Sequence, residues 1–337
     1  MARLHRVDCG GPGIRRVRRG RGFAYRDEEG SPIAEDEVLE RIRALSIPPA
    51  WTDVWICLDP CGHIQATGYD NAGRKQYLYH ERWRAHRDRE KFEQMVTFAH
   101  ELPALRERVE SDLGRRGLVR ERVLACALRL LDLGLFRIGS ERYASSNGTQ
   151  GLATLERGHV RLERGTAVFD YTAKGSQRHR QVVADPVSLP TVRALLRRRA
   201  NGSNLLAYRE GRTWHALRSD EINERLKELT GAAYSAKDFR TWNATVLAAV
   251  SLAATDPPPA TKTARRRAIS EAVKRVAGYL ANTPAVCRNS YIDPRVIDRF
   301  NSGETIQPSL NRIANGSEPD DFPDRERIEA AVLRLIG

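Results

Sequence analysis

Hydrophobic and polar positions change their period near residue 80. Before that point the apolar runs are short and strand-like. Phe23-Ala24-Tyr25 leads into a turn at Glu29-Gly30, and Val54 to Leu58 and Ile64 to Thr67 flank Asp59-Pro60-Cys61-Gly62, a turn signal. Between them, Val38, Leu39, Ile42 and Leu45 recur at helical spacing until Pro48-Pro49 stops the pattern. From about Glu81 onward helices dominate. Val119, Val123, Leu124, Ala127, Leu128 and Leu131 form a broad stripe suited to a buried helix over Leu118 to Leu135, with Gly134 as its expected cap. His159 to Leu162 and Ala167 to Tyr171 alternate around Glu163-Arg164-Gly165, which predicts a hairpin, and Lys174-Gly175 sits at the following turn. Helical spacing returns at Leu189 to Arg199, Glu221 to Leu229, Lys237 to Leu252 and Ala268 to Leu280, and Ile328, Ala331, Val332 and Leu335 mark a last amphipathic helix.

These patterns predict an α+β protein: a small, mostly antiparallel β domain over 23–85 and a larger, mainly α-helical domain with a short hairpin over 86–337. Residues 10–22, Gly-Gly-Pro-Gly-Ile-Arg-Arg-Val-Arg-Arg-Gly-Arg-Gly, hold little apolar surface to offset ordering, so 1–22 is expected to be a mobile basic arm. Asp256-Pro257-Pro258-Pro259-Ala260 separates two helices and leads into basic Lys262 and Arg265-Arg266-Arg267.

Charge narrows the partners. The 337 residues carry 56 Lys and Arg against 43 Asp and Glu, a formal charge of +13, and phosphates reward such a balance by counterion release. An Arg-rich genome produces the same excess, so charge alone decides nothing. No run of about 18 apolar residues is present, which excludes a helical membrane span, and the N-terminus lacks a signal-peptide core. Five cysteines (Cys9, Cys57, Cys61, Cys126, Cys287) have irregular spacing and no second ligand pair for Cys57 and Cys61. No metal site is therefore expected, and reduced thiols in a cytoplasm fit better than disulfides.

Five polar residues carry the candidate chemistry. Arg137 lies in Phe136-Arg137-Ile138-Gly139-Ser140-Glu141-Arg142-Tyr143, Lys174 in Thr172-Ala173-Lys174-Gly175, and Arg240 in Lys237-Asp238-Phe239-Arg240-Thr241. Asn282 precedes Thr283-Pro284, and Tyr291 follows in Asn289-Ser290-Tyr291-Ile292-Asp293-Pro294. Taken singly, each is most simply a surface charge, a helix cap or a packed aromatic. Together they are the parts for moving a phosphodiester between hydroxyls without a metal or other cofactor. A tyrosine is the nucleophile, although holding a phenol ionised at neutral pH costs about 4 kcal/mol. Guanidinium groups stay protonated and offer a rigid fork to the non-bridging oxygens. An ammonium can give a proton to an alkoxide leaving group, where guanidinium cannot.

That ordered set resembles the type IB DNA topoisomerases, specifically the poxvirus-like enzymes of bacteria, over about Gly22 to Arg299. The resemblance implies the catalytic fold shared with tyrosine recombinases and a C-shaped clamp around duplex DNA, acting as a monomer in the nucleoid. It implies Tyr291 as the residue that forms a 3′-phosphotyrosine, Arg137 and Arg240 as clamps of the transition state, Asn282 as a further donor and Lys174 as general acid, with Lys237 supporting the site. It also implies DNA contact from Arg74, Lys75, Gln76, Tyr77 and Tyr79 in Gly73-Arg74-Lys75-Gln76-Tyr77-Leu78-Tyr79-His80, and from Tyr143. Alternation on a strand would point Tyr77 and Tyr79 the same way. Viral members carry histidine where this chain has Asn282, which is expected to weaken that contact's charge term without abolishing the chemistry. They carry a lysine that reaches the DNA where this chain has Ser140, and that second difference leaves their sequence preference open for this chain. A tyrosine recombinase is the rival reading; those enzymes read His-x-x-Arg where this chain has Lys237-x-x-Arg240 and lack the Gln-Tyr-x-Tyr domain. A purely binding chromatin protein is the other alternative.

Overall fold

The computed structural model describes residues 3–141, 148–175, 177–199, 202–315 and 324–337. They divide into two compact units, Met1–Lys91 and Phe92–Gly337.

The first unit is built on a five-stranded antiparallel sheet, ordered β2-β1-β3-β4-β5, from β1 (Ile14–Arg19), β2 (Gly22–Arg26), β3 (Thr52–Ile56), β4 (Ile64–Tyr69) and β5 (Lys75–Tyr79). Helix α1 (Asp36–Ala44) buries Ile42 in the small core formed by Ile14, Val54, Ile56 and Ala66. Ile14–Arg19, within the segment expected to be a mobile arm, is thus the second strand of this sheet. Its main chain pairs with both neighbours, Ile14 is buried, and Arg16 donates to the carbonyls of Ile47, Pro48 and Trp51 while stacking on Phe23 at 4.1 Å. Composition misses such a strand because backbone pairing and guanidinium–carbonyl bonds need few apolar side chains.

Helix α2 (Glu81–Leu113) starts as a charged segment and turns apolar at Phe92, where the second unit begins. Phe92, Met95, Phe98, Leu102 and Leu105 enter a core shared with α3 (Arg120–Gly134) and, further along the chain, α6 (Ala236–Ala253). The expected hairpin is a three-stranded antiparallel sheet, β6 (Val160–Glu163), β7 (Thr166–Ala173) and β8 (Gln177–Val183), with Lys174 at the β7–β8 turn. Helices α4 (Leu189–Arg197) and α5 (Ser219–Thr230) bracket a hairpin that the pattern did not reveal, β9 (Ala207–Glu210) with β10 (Thr213–Ala216). Helix α7 (Lys262–Leu280) begins ahead of its apolar stripe because the Thr261 hydroxyl caps it through the amide of Ala264. Three short helices follow, α8 (Pro284–Ser290), α9 (Pro294–Asn301) and α10 (Gln307–Ala314), and α11 (Asp324–Ile336) ends the chain. Among the described residues, no helix is long and apolar enough to cross a membrane.

Candidate active site

Arg137 is held by a tight backbone crossing. Helix α3 ends with Leu135 in the left-handed region (φ 54), and the Phe136 ring folds back onto Gly134, where a Cβ would lie 2.1 Å from it. Gly134 is therefore the last helical residue rather than the cap, selected for contact and not for conformation. Beyond Arg137, Gly139 (φ +79) meets Gly151 so closely that a Cβ on Gly139 would stand 2.7 Å from the Gly151 Cα. The amides of Leu152 and Ala153 donate to the carbonyls of Arg137 and Ile138, both at 2.8 Å. The two glycines thus allow a main-chain bracket that fixes where Arg137 starts.

Arg240 comes from the first turns of α6 and is 4% exposed. Its guanidinium donates to the carbonyl of Leu135, at the end of α3, and to that of Leu280, at the end of α7, the latter at 3.0 Å. Arg137 donates to the next carbonyl, Ala281, at 2.9 Å and to Oδ1 of Asn282. Both guanidiniums are thus anchored on carbonyls left unpaired where helices end, the negative end of the helix dipole. No carboxylate pairs with either among the described residues. A buried arginine elsewhere in this unit, Arg106, is neutralised by Asp132 and Glu329. Burial pulls the Arg240 guanidinium below its ordinary value; Tyr291 opposes the drop and Arg137 adds to it. It stays charged all the same. Since arginine only donates, Oδ1 of Asn282 must face Arg137, which turns Nδ2 away. That Nδ2 and Nε of Arg240 are buried donors without a protein partner.

Tyr291 occupies the link between α8 and α9. Thr283 and Asp293 cap those helices, each followed by proline at the first helical position, and Ile292 is buried between them. The Tyr291 amide donates to the carbonyl of Cys287 at 3.0 Å, and its half-buried ring lies under the Arg240 guanidinium at 5.3 Å. The buried hydroxyl of Thr245, on α6, accepts from the Asp293 amide at 3.1 Å and lies 3.3 Å from the Tyr291 carbonyl. One helix thus sets both Arg240 and the backbone of Tyr291. Two other groups near these cations are poor nucleophiles. Burial pushes the Cys287 thiol up to about 11 and the Tyr171 phenol up to about 12, in both cases against the pull of Arg240.

Residues 80–312 match the family described as eukaryotic DNA topoisomerase I, catalytic core, and residues 22–70 match the bacterial DNA topoisomerase IB N-terminal domain. The chain belongs to the type IB DNA topoisomerase family. It is also 30% identical over 288 residues to "DNA topoisomerase 1B" of Acanthamoeba polyphaga mimivirus, covering 83% of this chain and 85% of that protein. It is accordingly a DNA-binding isomerase.

In this topoisomerase the fold brings four of the five candidate residues together: Arg137, Arg240, Asn282 and Tyr291. Lys174 is not held in that group: it is exposed at the β7–β8 turn, just past the strand whose Tyr171 lies close enough to feel both arginines. Lys237 is exposed one turn before Arg240, its carbonyl accepting from the Thr241 hydroxyl at 3.1 Å. Tyr143 lies outside the described residues. In the first unit, Tyr77 and Tyr79 do share a face of β5, stacked with centroids 6.2 Å apart and exposed, with the Lys75 ammonium 5.8 Å from the Tyr77 ring. Gln76 falls on the opposite face beside Leu78 and donates to Asp70 at 2.9 Å, and Arg74 is paired with the same carboxylate at 2.8 Å. Sequence reasoning missed Thr245, whose signal is a hydroxyl inside an apolar helical face. It also missed Tyr171 and His179, cross-strand partners that read only as alternating strand residues. Burial pulls the His179 imidazole below its ordinary value; the Gln181 hydrogen bond opposes this, and the two arginines reinforce it.

Proposed function

We propose that this topoisomerase relaxes supercoiled duplex DNA by transient cleavage of one strand at Tyr291. The phenolic oxygen attacks the phosphorus, the P–O5′ bond breaks, and its electron pair leaves on the 5′ oxygen as a proton arrives there. The phenol proton passes to solvent. A 3′-phosphotyrosine and a free 5′-hydroxyl result, the cut strand swivels, and the reverse attack reseals it. The aryl ester keeps the bond energy, so no nucleotide is consumed.

The observation that carries this reading is the uncompensated pair of guanidiniums. A carboxylate beside Arg137 or Arg240 would neutralise the field that a phosphorane needs; helix-end carbonyls instead fix the forks and leave their charge for the non-bridging oxygens. The free donors on Arg240 and Asn282 suit the same oxygens. Fixed organic cations supply the charge stabilisation that a metal ion would give elsewhere. Of the two phenols near the arginines among the described residues, Tyr291 is the less buried. All five groups lie on one chain, so the chemistry needs no second subunit. Lys174, at an exposed turn, fits the role of proton donor to the 5′ oxygen, and the stacked Tyr77 and Tyr79 suit contact with DNA.

The decisive assay is relaxation of a supercoiled plasmid without recombination sites, in EDTA and without ATP. Denaturant should trap protein on the 3′ end and leave a 5′-hydroxyl that a kinase labels directly. A 5′-linked adduct, or no adduct, would rule the mechanism out. Lys174→Ala should slow cleavage of ordinary DNA about 100-fold, the scale of general acid catalysis. A substrate with a 5′-bridging sulfur, which leaves without a proton, should lose little. Equal slowing of both substrates removes Lys174 from the acid role. Asn282→Ala should cost about 1–3 kcal/mol of transition-state stabilisation, read from single-turnover cleavage rates at saturating enzyme.

A further inference from the structure

A basic cleft lies outside the five-residue site, in the same unit. It is lined by Lys262, Arg265, Arg266 and Ile269 of α7, Arg288 of α8 and Asn301 at the end of α9, and encloses about 780 Å³. Among the described residues, no carboxylate lines it. Arg265 is committed to its walls, donating to the carbonyls of Pro259 and Asn301. Lys262, Arg266 and Arg288 are exposed and pair with no carboxylate among the described residues. Elsewhere the surface arginines Arg74, Arg87, Arg115 and Arg178 each hold an acid. Helix α7 as a whole carries Lys262, Arg265, Arg266, Arg267, Lys274 and Arg275 against Glu271 alone. Gathering like charges around a concave surface costs stability, and a polyanion entering the cleft offsets it.

We propose that this cleft binds backbone phosphates of the DNA flanking the cut, through Lys262, Arg266 and Arg288, and so holds the enzyme on its substrate between turnovers. The inference rests on the cleavage reading above, because it takes the occupant to be the same duplex. Arg288 lies one helical turn before Tyr291, which puts one wall of the cleft within a helical turn of the proposed nucleophile. Phosphate contacts of this kind set affinity and its salt dependence without entering the bond-breaking step.

The test compares wild type with Lys262→Ala/Arg266→Ala and with Arg288→Ala, all as full chains. With a duplex extending well beyond the cut on both sides, the double variant should bind about 30-fold more weakly at 0.15 M salt, and its plot of log affinity against log salt should be shallower by about 1.8, which is 0.9 per phosphate lost. Arg288→Ala should flatten the slope by about half as much. Single-turnover cleavage at saturating enzyme should change less than about 2-fold, while plasmid relaxation should become distributive at lower salt. Circular dichroism melting identifies any variant that has lost its fold; Lys262→Gln/Arg266→Gln then takes its place. An unchanged salt slope in a folded variant overturns the cleft as a DNA site, as does a cleavage defect at saturation with unchanged binding. A wild type that forms no covalent adduct overturns the cleavage reading instead, so the two failures are distinguishable.

Discussion

Tyr291→Phe is expected to abolish the covalent adduct and plasmid relaxation, with a loss on the order of 10⁶-fold, the scale seen when a nucleophile is removed from an otherwise intact site. The substitution deletes one oxygen. The ring remains under Arg240, the amide still donates to Cys287, and Thr245 still holds the following residues, so neither fold nor DNA affinity should change by more than about 2-fold. Among the described residues, the two other nearby nucleophiles are poor substitutes. Cys287 is fully buried and its thiol is pushed up to about 11, while Tyr171 is packed against Phe136 and His179 and pushed up to about 12. The assay is denaturant trapping of radiolabelled duplex. Residual adduct in Tyr291→Phe that maps to another residue would remove Tyr291 from the centre of the mechanism.

Much of this site could be read from the chain, and the unread part has a common physical origin. The helix over 118–135 and the strands around Lys174 follow from apolar periodicity, which reports how a segment meets a core. The five polar residues stood out through their chemistry and order. What periodicity does not carry is where main-chain groups go. The basic segment at 14–19 becomes a strand because its backbone pairs on both sides, and its arginines gave no hint of that. The anchoring of Arg137 and Arg240 on the carbonyls of Leu135, Leu280 and Ala281 depends on the C-terminal ends of α3 and α7 meeting, a tertiary fact with no local signature. The short helices α8 and α9 did leave a sign, Thr283-Pro284 and Asp293-Pro294, each a cap followed by proline. The pairing of Arg74 and Gln76 with Asp70 was invisible because it arises across a turn.

Arg106→Met should destabilise the catalytic unit by about 3–5 kcal/mol, the cost of removing one partner from a buried ionic cluster. The Arg106 guanidinium spans Asp132 at 2.9 Å and Glu329 at 2.7 Å, and Arg325 reaches Asp132 at 2.7 Å and Glu329 at 3.0 Å. Asn243 donates to the Asp132 carbonyl at 2.7 Å. Four elements meet there: α2, α3, α6 and α11. Asp132 lies one turn before Leu135, whose carbonyl holds Arg240, and Asn243 lies one turn after Arg240. The cluster therefore fixes the spacing of the helices that aim the Arg137 and Arg240 guanidiniums, and on the proposed mechanism loss of the C-terminal helix should lower the cleavage rate as well as stability. Burial alone pushes the Asp132 carboxyl up, but Arg325 and Arg106 outweigh it and the net shift is downward. A depressed carboxyl contributes stability that is complete above the unfolded value, near 3.9, and is lost as pH falls through the lower folded value. Denaturant midpoints should accordingly drop for the wild type below about pH 4, and less steeply for Asp132→Asn, which is already weakened at neutral pH. A cost below about 1 kcal/mol for Arg106→Met, or identical acid profiles for wild type and Asp132→Asn, would show that the helices are aligned by apolar packing alone and that the buried charges follow that alignment without enforcing it.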